Sequence, residues 1–311
     1  MTDQFRANGK LLLTGEYAVL DGATALSFPT LYGQTLYIKA SPNFNKIIWN
    51  ATEKGVTWFS ATFCFPTLHI ETASDQEKAL QLRKILLKAF TLANVKLTKE
   101  SLGMDVLTNA EFPINWGLGT SSTLISLISQ WLKIDAATLL NQTFGGSGYD
   151  VATATAQSPI LYRRVTSEKM IIQPVTFTPS FTPLLYFIYL GKKQDSQKQV
   201  LHYKNISQPK DLFIEQIDTI TRLIVNPNLH YNDFQRLIFE HEKITGSMLS
   251  TAPIKKQYFS DFNGEVKSLG AWGGDFILVS SPEEPNYIKT YFKKHNLEII
   301  IPFIEMCPTF I

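Results

Sequence analysis

The chain has 311 residues, more than one hydrophobic core usually supports, so we expect two domains. Hydrophobic residues make up 44% and charged residues 18% of the sequence, a composition typical of globular proteins and not of disordered ones. The formal net charge of +2 is too small to favour nucleic acid or an anionic membrane as the main partner.

The two cysteines, Cys64 and Cys307, stand in apolar surroundings without the spacing of a disulfide framework or a zinc site. The apolar stretches are too short for a membrane span, and the N-terminal residues have no apolar segment. We therefore expect a cytoplasmic protein with neither a nucleic-acid nor a membrane partner.

Strand patterns dominate the first part of the chain. An apolar strand is predicted to begin at Lys10 and to end in a tight turn at Gly15. Alternating runs then predict an antiparallel meander at residues 34–40, 46–50 and 56–62. A capping box of Ser74 and Glu77 predicts a helix that ends near Ala93, and a strand at residues 102–108 follows.

The second part mixes helices with strands. Helices are predicted at residues 136–144, 194–205, 210–225, 231–249 and 285–295, and strands at 160–164, 170–175, 184–190, within 266–280 and at 298–304. This mixture favours an α+β fold over a doubly wound parallel sheet. Pro174, Pro179 and Pro183 lie close together and predict a domain boundary, with domains at residues 1–178 and 179–311.

The stretch FPINWGLGTSST, residues 112–123, has the features of a phosphate site. Gly117 and Gly119 remove side chains where a ligand would approach the backbone, and hydroxyl residues follow where a helix begins. The first turn of that helix offers N–H groups and the positive end of the dipole to an anion. The helix itself is indicated by apolar residues at helical spacing, Leu124, Leu127, Ile128 and Trp131. An ordinary N-capped helix after a glycine turn is the alternative.

Three further stretches carry candidate residues. In GGSGYDVA, glycines precede Asp150 in the first turn of a helix, where the dipole favours an ionised carboxylate. In GKLLLTGEY, Lys10 and Glu16 could face one cleft, with Lys10 neutralising a phosphoryl group. In KSLGAWGGDF, the glycines would let backbone pass close to a ligand. Each stretch also has an ordinary structural explanation as a helix start, a solvated lysine or a hairpin.

In this order, the four stretches resemble the motifs of the GHMP kinase superfamily, which includes galactokinase, homoserine kinase, mevalonate kinase and phosphomevalonate kinase. The resemblance extends from one end of the chain to the other. It implies a two-domain GHMP kinase fold of the α+β class. The nucleotide-binding N-terminal domain would be like domain 2 of ribosomal protein S5, and the C-terminal domain would be ferredoxin-like. It also implies ATP and Mg²⁺ as cofactors and a small-molecule alcohol or phosphate as substrate, and it leaves monomer or homodimer open.

The resemblance implies roles for individual residues. Asp150 matches the catalytic aspartate, and Lys10 matches the lysine that mevalonate kinases place beside it. The Ser121 hydroxyl matches the metal contact. The triphosphate loop would consist of Gly117, Leu118, Gly119, Thr120, Ser121 and Ser122. The substrate side would consist of Glu16, Tyr17, Ser147, Gly148, Ser196 and Ala271.

Some positions depart from the family pattern. Asn115 replaces a usual glycine, Trp272 interrupts the last glycine run, and the helix at 136–144 has no Glu to match the second magnesium ligand of mevalonate kinase. Metal binding would then depend on phosphates, water and Ser121. We expect an ATP-dependent kinase that phosphorylates mevalonate or phosphomevalonate. The alternatives are a diphosphomevalonate decarboxylase, another GHMP kinase acting on a sugar or amino acid, and a non-catalytic ligand-sensing homologue.

Overall fold

The computed structural model describes residues 2–42, 44–166, 169–191, 196–270, 272 and 274–307, apart from the side chains of residues 196 and 197. The helices in these ranges are α1 (Gln76–Leu92), α2 (Thr120–Leu132), α3 (Ala136–Thr143), α4 (Tyr149–Thr155), α5 (Ser196–Lys204), α6 (Asp211–Ile224), α7 (Tyr231–Met248), α8 (Ile254–Tyr258), α9 (Pro285–Lys294) and α10 (Phe303–Met306). The strands are β1 (Thr2–Thr14), β2 (Ala25–Ser41), β3 (Lys46–Glu53), β4 (Val56–Cys64), β5 (His69–Ala73), β6 (Gly103–Ala110), β7 (Ile160–Arg164), β8 (Met170–Pro174), β9 (Leu185–Tyr189), β10 (Glu265–Ser268), β11 (Phe276–Ser280) and β12 (Ile300–Pro302).

These elements form two compact units. The first unit comprises Met1–Gly9, Tyr32–Ile114 and Leu118–Thr155, and the second comprises Lys10–Leu31, Asn115–Gly117 and Ala156–Ile311. Residues 10–31 belong to the second unit because the start of β2 pairs with β7 there, from Ala25↔Tyr162 to Ser27↔Ile160. The predicted domain boundary between residues 178 and 179 does not follow this division, and it stays a prediction.

In the first unit, a sheet contains its strands in the order β5-β4-β3-β6-β2. β3 and β6 are parallel, from Ile47↔Met104 to Glu53↔Ala110. The β2–β6 and β3–β4 pairs are antiparallel. The predicted meander is therefore wrong for its first pair, because β6 lies between β2 and β3. Consecutive strands usually pair, and nothing in the local sequence marks this exception.

The core of the first unit joins this sheet to helices α1 to α4. Its fully buried members include Trp49, Phe63, Leu86, Ile125 and Ile128. Helix α2 is buried over most of its circumference, since Ser122, Thr123, Ser126 and Ser129 are buried as well. In the predicted stripe of α2, Leu127 and Ile128 are fully buried, whereas Leu124 and Trp131 are only half-buried.

Helix α1 begins on a different cap from the predicted one. Its N-cap residue is Asp75, whose carboxylate accepts the Lys78 N–H at 3.1 Å. The predicted capping box of Ser74 and Glu77 is therefore wrong. The Ser74 hydroxyl instead accepts the Ser60 N–H of β4 at 2.9 Å. Serine and aspartate are equally good N-caps, so sequence does not distinguish them.

In the second unit, a four-stranded antiparallel sheet has the order β10-β11-β9-β12. Numbered from β9, this is the order 2-3-1-4 expected of a ferredoxin-like sheet. Its core includes Ile188, Phe262, Ile277 and Phe292. A second buried cluster in this unit contains Tyr17, Tyr203, Phe213, Ile217 and Trp272.

Two chain segments differ from their predicted extents. β1 begins at Thr2, eight residues before the predicted start. Thr2, Asp3 and Gln4 are exposed there, so no apolar run marks the beginning of the strand. The last strand is short: β12 ends at Pro302, which has no N–H for the ladder and precedes helix α10. Every helix in the described ranges falls short of the length and apolarity needed to cross a membrane.

Candidate active site

Three of the four sequence motifs meet at Gly117, in the second unit. The Lys10 ammonium donates to the Gly117 carbonyl oxygen at 3.1 Å. The Asp275 side chain, at the end of the last glycine motif, lies directly against Gly117, since a Cβ built on this glycine would be 2.2 Å from Asp275 Oδ2. Gly117 also has a positive φ of +68°, which glycine adopts at low cost. The structure therefore explains why this position is a glycine.

Aromatic packing fixes the backbone just before Gly117. The Trp116 ring meets Phe276 edge to face, with centroids 5.4 Å apart, and lies 6.1 Å from Tyr189. The Tyr189 hydroxyl donates to the Asn115 carbonyl oxygen at 3.1 Å. Asn115 and Trp116, which precede Gly117 in the glycine loop, are therefore attached to β9 and β11.

In the first unit, helix α2 begins without a side-chain cap. Its N-cap is Gly119, in the left-handed region with φ 92°. The hydroxyls that follow bond to carbonyl oxygens rather than to the first N–H groups: Ser122 donates to Gly119 at 2.8 Å, and Thr123 donates to Thr120 at 3.0 Å and to Gln34 Oε1 at 2.6 Å. Ser121 is exposed. Helix α2 therefore has no side-chain N-cap, and this start fits an anionic phosphate. The phosphate site itself stays a prediction.

Asp150 stands in the first turn of α4, also in the first unit, and is half-buried. Its Oδ1 accepts the Val151 N–H at 3.0 Å, which orients the carboxylate along the helix start. Helix α4 is attached to α2, because the Ser126 hydroxyl donates to the Val151 carbonyl oxygen at 3.5 Å. The glycine loop and the aspartate motif, distant in sequence, thus lie on adjacent helices. The turn before α4 uses glycines with positive φ, at Gly145, Gly146 and Gly148.

Glu16 and Tyr17, predicted on the substrate side, are both buried in the second unit. Glu16 Oε1 lies 2.5 Å from Lys267 Nζ, and Oε2 lies 3.3 Å from His241 Nε2. Burial raises the pKa of Glu16, and the attraction of Lys267 opposes that shift. Burial lowers the pKa of His241 well below its usual value, and Lys267 lowers it further.

Sequence reasoning missed Lys267 and His241 as partners of Glu16. Lys267 is only 1% exposed, in β10, and is the first residue of the KSLGAWGGDF stretch. A lysine inside an otherwise buried strand is the signal that could have found it, because lysine is almost never buried without a partner.

The other predicted residues lie in several places. Ser147 and Gly148 precede α4 and are half-buried, and Ser196 is the first residue of α5. Ala271 lies outside the described residues. The pairing of Lys10 with Asp150 stays a prediction. Among the described residues, no group of three or more His, Cys, Asp or Glu side chains could hold a metal ion by itself.

Comparison with known proteins gives a result at the level of the fold. No model of a known protein family matches the sequence, and no curated protein matches it either. Solved structures do match. Phosphomevalonate kinase from Streptococcus pneumoniae, in complex with phosphomevalonate and AMPPNP, has a TM-score of 0.71 over 96% of this chain and 98% of its own, at 16% identity.

Two further structures match over similar lengths. Mevalonate kinase from Methanococcus jannaschii has a TM-score of 0.68 over 97% of both chains, at 16% identity. Galactokinase from Lactococcus lactis, complexed with galactose, has a TM-score of 0.68 over 94% of this chain and 88% of its own, at 11% identity. The chain therefore has the mixed α+β fold of the GHMP kinases, and the predicted fold is confirmed.

Proposed function

We propose that the chain is an ATP- and Mg²⁺-dependent kinase that phosphorylates an isoprenoid precursor, mevalonate or phosphomevalonate. The observation that carries the proposal is the uncapped start of α2 packed beside the helix of Asp150. Two matched structures support the acceptor class, since one is a mevalonate kinase and the other is a phosphomevalonate kinase in complex with phosphomevalonate.

The start of α2 would hold the nucleotide phosphates. Its first N–H groups are not bonded by a side-chain cap, and the left-handed Gly119 brings the backbone into the helix without a side chain in the way. These N–H groups and the helix dipole favour an anion. The AMPPNP in the phosphomevalonate kinase structure supports ATP as the phosphoryl donor.

Asp150 and Lys10 would catalyse the transfer of the γ-phosphoryl group. An oxygen of the acceptor attacks the γ-phosphorus, the bond to the oxygen that bridges the β- and γ-phosphorus atoms breaks, and ADP leaves with that bond's electron pair. Asp150 would accept the proton of an attacking hydroxyl or orient it. Lys10, whose ammonium is already placed at the Gly117 carbonyl, would stabilise the charge on the phosphoryl group.

Magnesium would be held by the nucleotide phosphates, water and the exposed Ser121 hydroxyl. This fits the chemistry of the ion, which keeps several waters and needs few protein ligands. When bound, it would neutralise charge on the phosphates.

The test is a panel of purified proteins assayed with MgATP and with mevalonate or phosphomevalonate as acceptor. We expect one acceptor to be phosphorylated and Asp150→Asn to lower kcat by about 10²- to 10⁴-fold while nucleotide binding stays within a few fold. Asp135→Asn is the matched control, because Asp135 also begins a helix, α3, and asparagine caps equally well. It should leave kcat unchanged.

Three outcomes would contradict the proposal. Absence of turnover with both acceptors would exclude the isoprenoid assignment, and full activity of Asp150→Asn would exclude the mechanism. Release of carbon dioxide from diphosphomevalonate would instead identify the decarboxylase reaction.

A further inference from the structure

The backbone at Tyr17 adopts a rare turn. Its φ of 63° and ψ of −47°, together with the hydrogen bond from the Ala18 N–H to the Glu16 carbonyl oxygen at 2.7 Å, define a γ-turn with positive φ. This conformation is strained for an aromatic residue. Strained backbone persists only where the surroundings determine it, and it concentrates at functional sites.

Tyr17 is held on one side by apolar contacts. Its ring lies 5.4 Å from the ring of Tyr203, a fully buried residue of α5. The preceding Gly15 is packed so closely on β2 that a Cβ there would be 2.7 Å from Ala25 Cβ.

On the other side of the turn, the Glu16 carboxylate is buried in the protein interior. His241 Nε2 accepts the Gly15 N–H at 3.3 Å, so this nitrogen carries a lone pair and the ring is neutral. Among the described residues, the positive charge at the carboxylate therefore comes from Lys267, at 2.5 Å. Without it, Glu16 would be a buried charge with no counter-ion, which is strongly unfavourable.

Lys267 is itself held in place. Its ammonium also donates to the Ser268 carbonyl oxygen at 2.9 Å. Glu242 of α7 in turn accepts the Ser268 N–H at 2.9 Å and the Ser268 hydroxyl at 3.2 Å. The charge that faces Glu16 is therefore fixed by two elements, β10 and α7.

We propose that Lys267 is a positioning residue that holds the Glu16 carboxylate and thereby keeps the γ-turn at Tyr17, while Glu16 does not contact the acceptor. The expected change in acceptor KM rests on the proposed kinase function, whereas the expected change in amide exchange does not. The proposal assigns the Glu16 carboxylate to the protein interior, beside Lys267.

The test compares Lys267→Met, Glu16→Gln and the double variant with wild type. Amide hydrogen exchange of the segment at residues 15–20 reports the turn directly, and acceptor KM, ATP KM and kcat report its consequence. We expect Lys267→Met to exchange at least about tenfold faster in this segment and to raise the acceptor KM about tenfold, with ATP KM unchanged. In the double variant no charge is buried alone, so exchange and acceptor KM should return to within about threefold of wild type.

The control is Lys255→Met, which removes a half-buried ion pair of the same unit, 3.1 Å from Glu265. It should leave exchange at residues 15–20 unchanged. If Lys267→Met does not fold, Glu16→Gln decides, because it removes the carboxylate that Lys267 holds and leaves the lysine unpaired. Exchange at residues 15–20 should then be faster than in wild type, and unchanged exchange would overturn the proposal. A double variant that also fails to fold would overturn the proposal.

The remaining outcomes separate the two claims. Unchanged exchange in Lys267→Met would show that Lys267 does not hold the turn. Restored exchange with a persistently raised acceptor KM in the double variant would show that the Glu16 carboxylate contacts the acceptor. If wild type phosphorylates neither acceptor, the proposed function fails, while the exchange measurement still decides the role of Lys267.

Discussion

The glycine at position 117 is determined by the side chain of a residue far away in the sequence. The sequence predicted a close approach of a ligand at Gly117, whereas the structure shows a protein group there, the Asp275 carboxylate. A ligand and a protein carboxylate at this distance would both require glycine at position 117. A glycine pattern therefore predicts that space is needed but does not say what fills it.

Gly117→Ala should destabilise the protein by about 2 kcal/mol or more, because alanine adds a clash to the cost of about 1 kcal/mol for a positive φ. The new Cβ would be 2.2 Å from Asp275 Oδ2 and 2.9 Å from Asp275 Cβ, so rotation of the carboxylate alone cannot relieve the clash. Urea unfolding measures the effect.

Gly191→Ala is the matched control for this prediction. Gly191 has a φ of +70°, close to that of Gly117, and no atom of the described residues lies within 4 Å of a Cβ built there. It should lose only about 1 kcal/mol, the cost of the backbone conformation. Equal losses in the two variants would mean that Asp275 moves away without cost.

At the scale of elements, α2 is joined to β2 by a buried hydrogen bond. The Thr123 hydroxyl donates to Gln34 Oε1 at 2.6 Å, and both residues are buried in the first unit. Thr123→Val keeps the shape but leaves the glutamine oxygen without this donor, so we expect a loss of about 1–3 kcal/mol in unfolding free energy.

Thr155→Val provides the comparison. The Thr155 hydroxyl bonds to a carbonyl of its own helix, on Ala152, and the residue is exposed, so its loss should stay within about 0.5 kcal/mol. Chemical denaturation of both variants decides the matter. A Thr123→Val protein as stable as wild type would show that water replaces the threonine hydroxyl.

The bounds of helices and strands could be predicted where the local sequence pattern determines them. Which strands pair with each other could not be predicted. The strand β7 has the predicted bounds, and the periodicity of α7 predicted it to within one residue. The insertion of β6 between β2 and β3 could not be predicted, because strand order depends on which distant segments bury a common face.

The candidate site follows the same rule. The glycine loop and Asp150 were predicted as site residues because glycines, hydroxyls and carboxylates at a helix start have a local physical meaning, and their roles stay predictions. The contact of Lys10 with Gly117 and the partnership of Glu16 with Lys267 depend on the tertiary fold.

For the whole molecule, the fold is retained where sequence similarity is not. The match to mevalonate kinase covers 97% of both chains at only 16% identity. Cores tolerate extensive substitution when volume and hydrophobic pattern are kept, so a fold can remain after sequence similarity has been lost. The order of motifs along the chain then carries more information than the identity of residues between them.

The pH dependence of stability is also a property of the whole molecule. In the buried cluster of Glu16, His241 and Glu242, some groups make the unfolding free energy fall as pH rises and another makes it increase. Burial raises the pKa of Glu242 to about 7, assisted by Glu16 and opposed by Lys267. Between its ordinary pKa of 4.5 and about 7, folded Glu242 keeps a proton that the unfolded chain has released, so its contribution falls as pH rises. The raised pKa of Glu16 acts in the same direction. His241 acts oppositely, because below its ordinary value only the unfolded chain gains the proton.

Glu242→Gln should remove the contribution of Glu242 to the pH dependence of the unfolding free energy. Glutamine can still accept the Ser268 N–H and bond its hydroxyl, which lie 2.9 and 3.2 Å from the carboxylate oxygens. Relative to wild type, the variant should therefore gain roughly 2–3 kcal/mol of unfolding free energy between pH 4.5 and 8, since one pKa unit corresponds to about 1.4 kcal/mol. Urea midpoints at several pH values measure the gain. The control is Glu240→Gln, which removes a half-exposed carboxylate of the same helix and leaves the contacts of Glu242 in place. Parallel pH profiles of wild type and Glu242→Gln would mean that folding does not raise the pKa of Glu242.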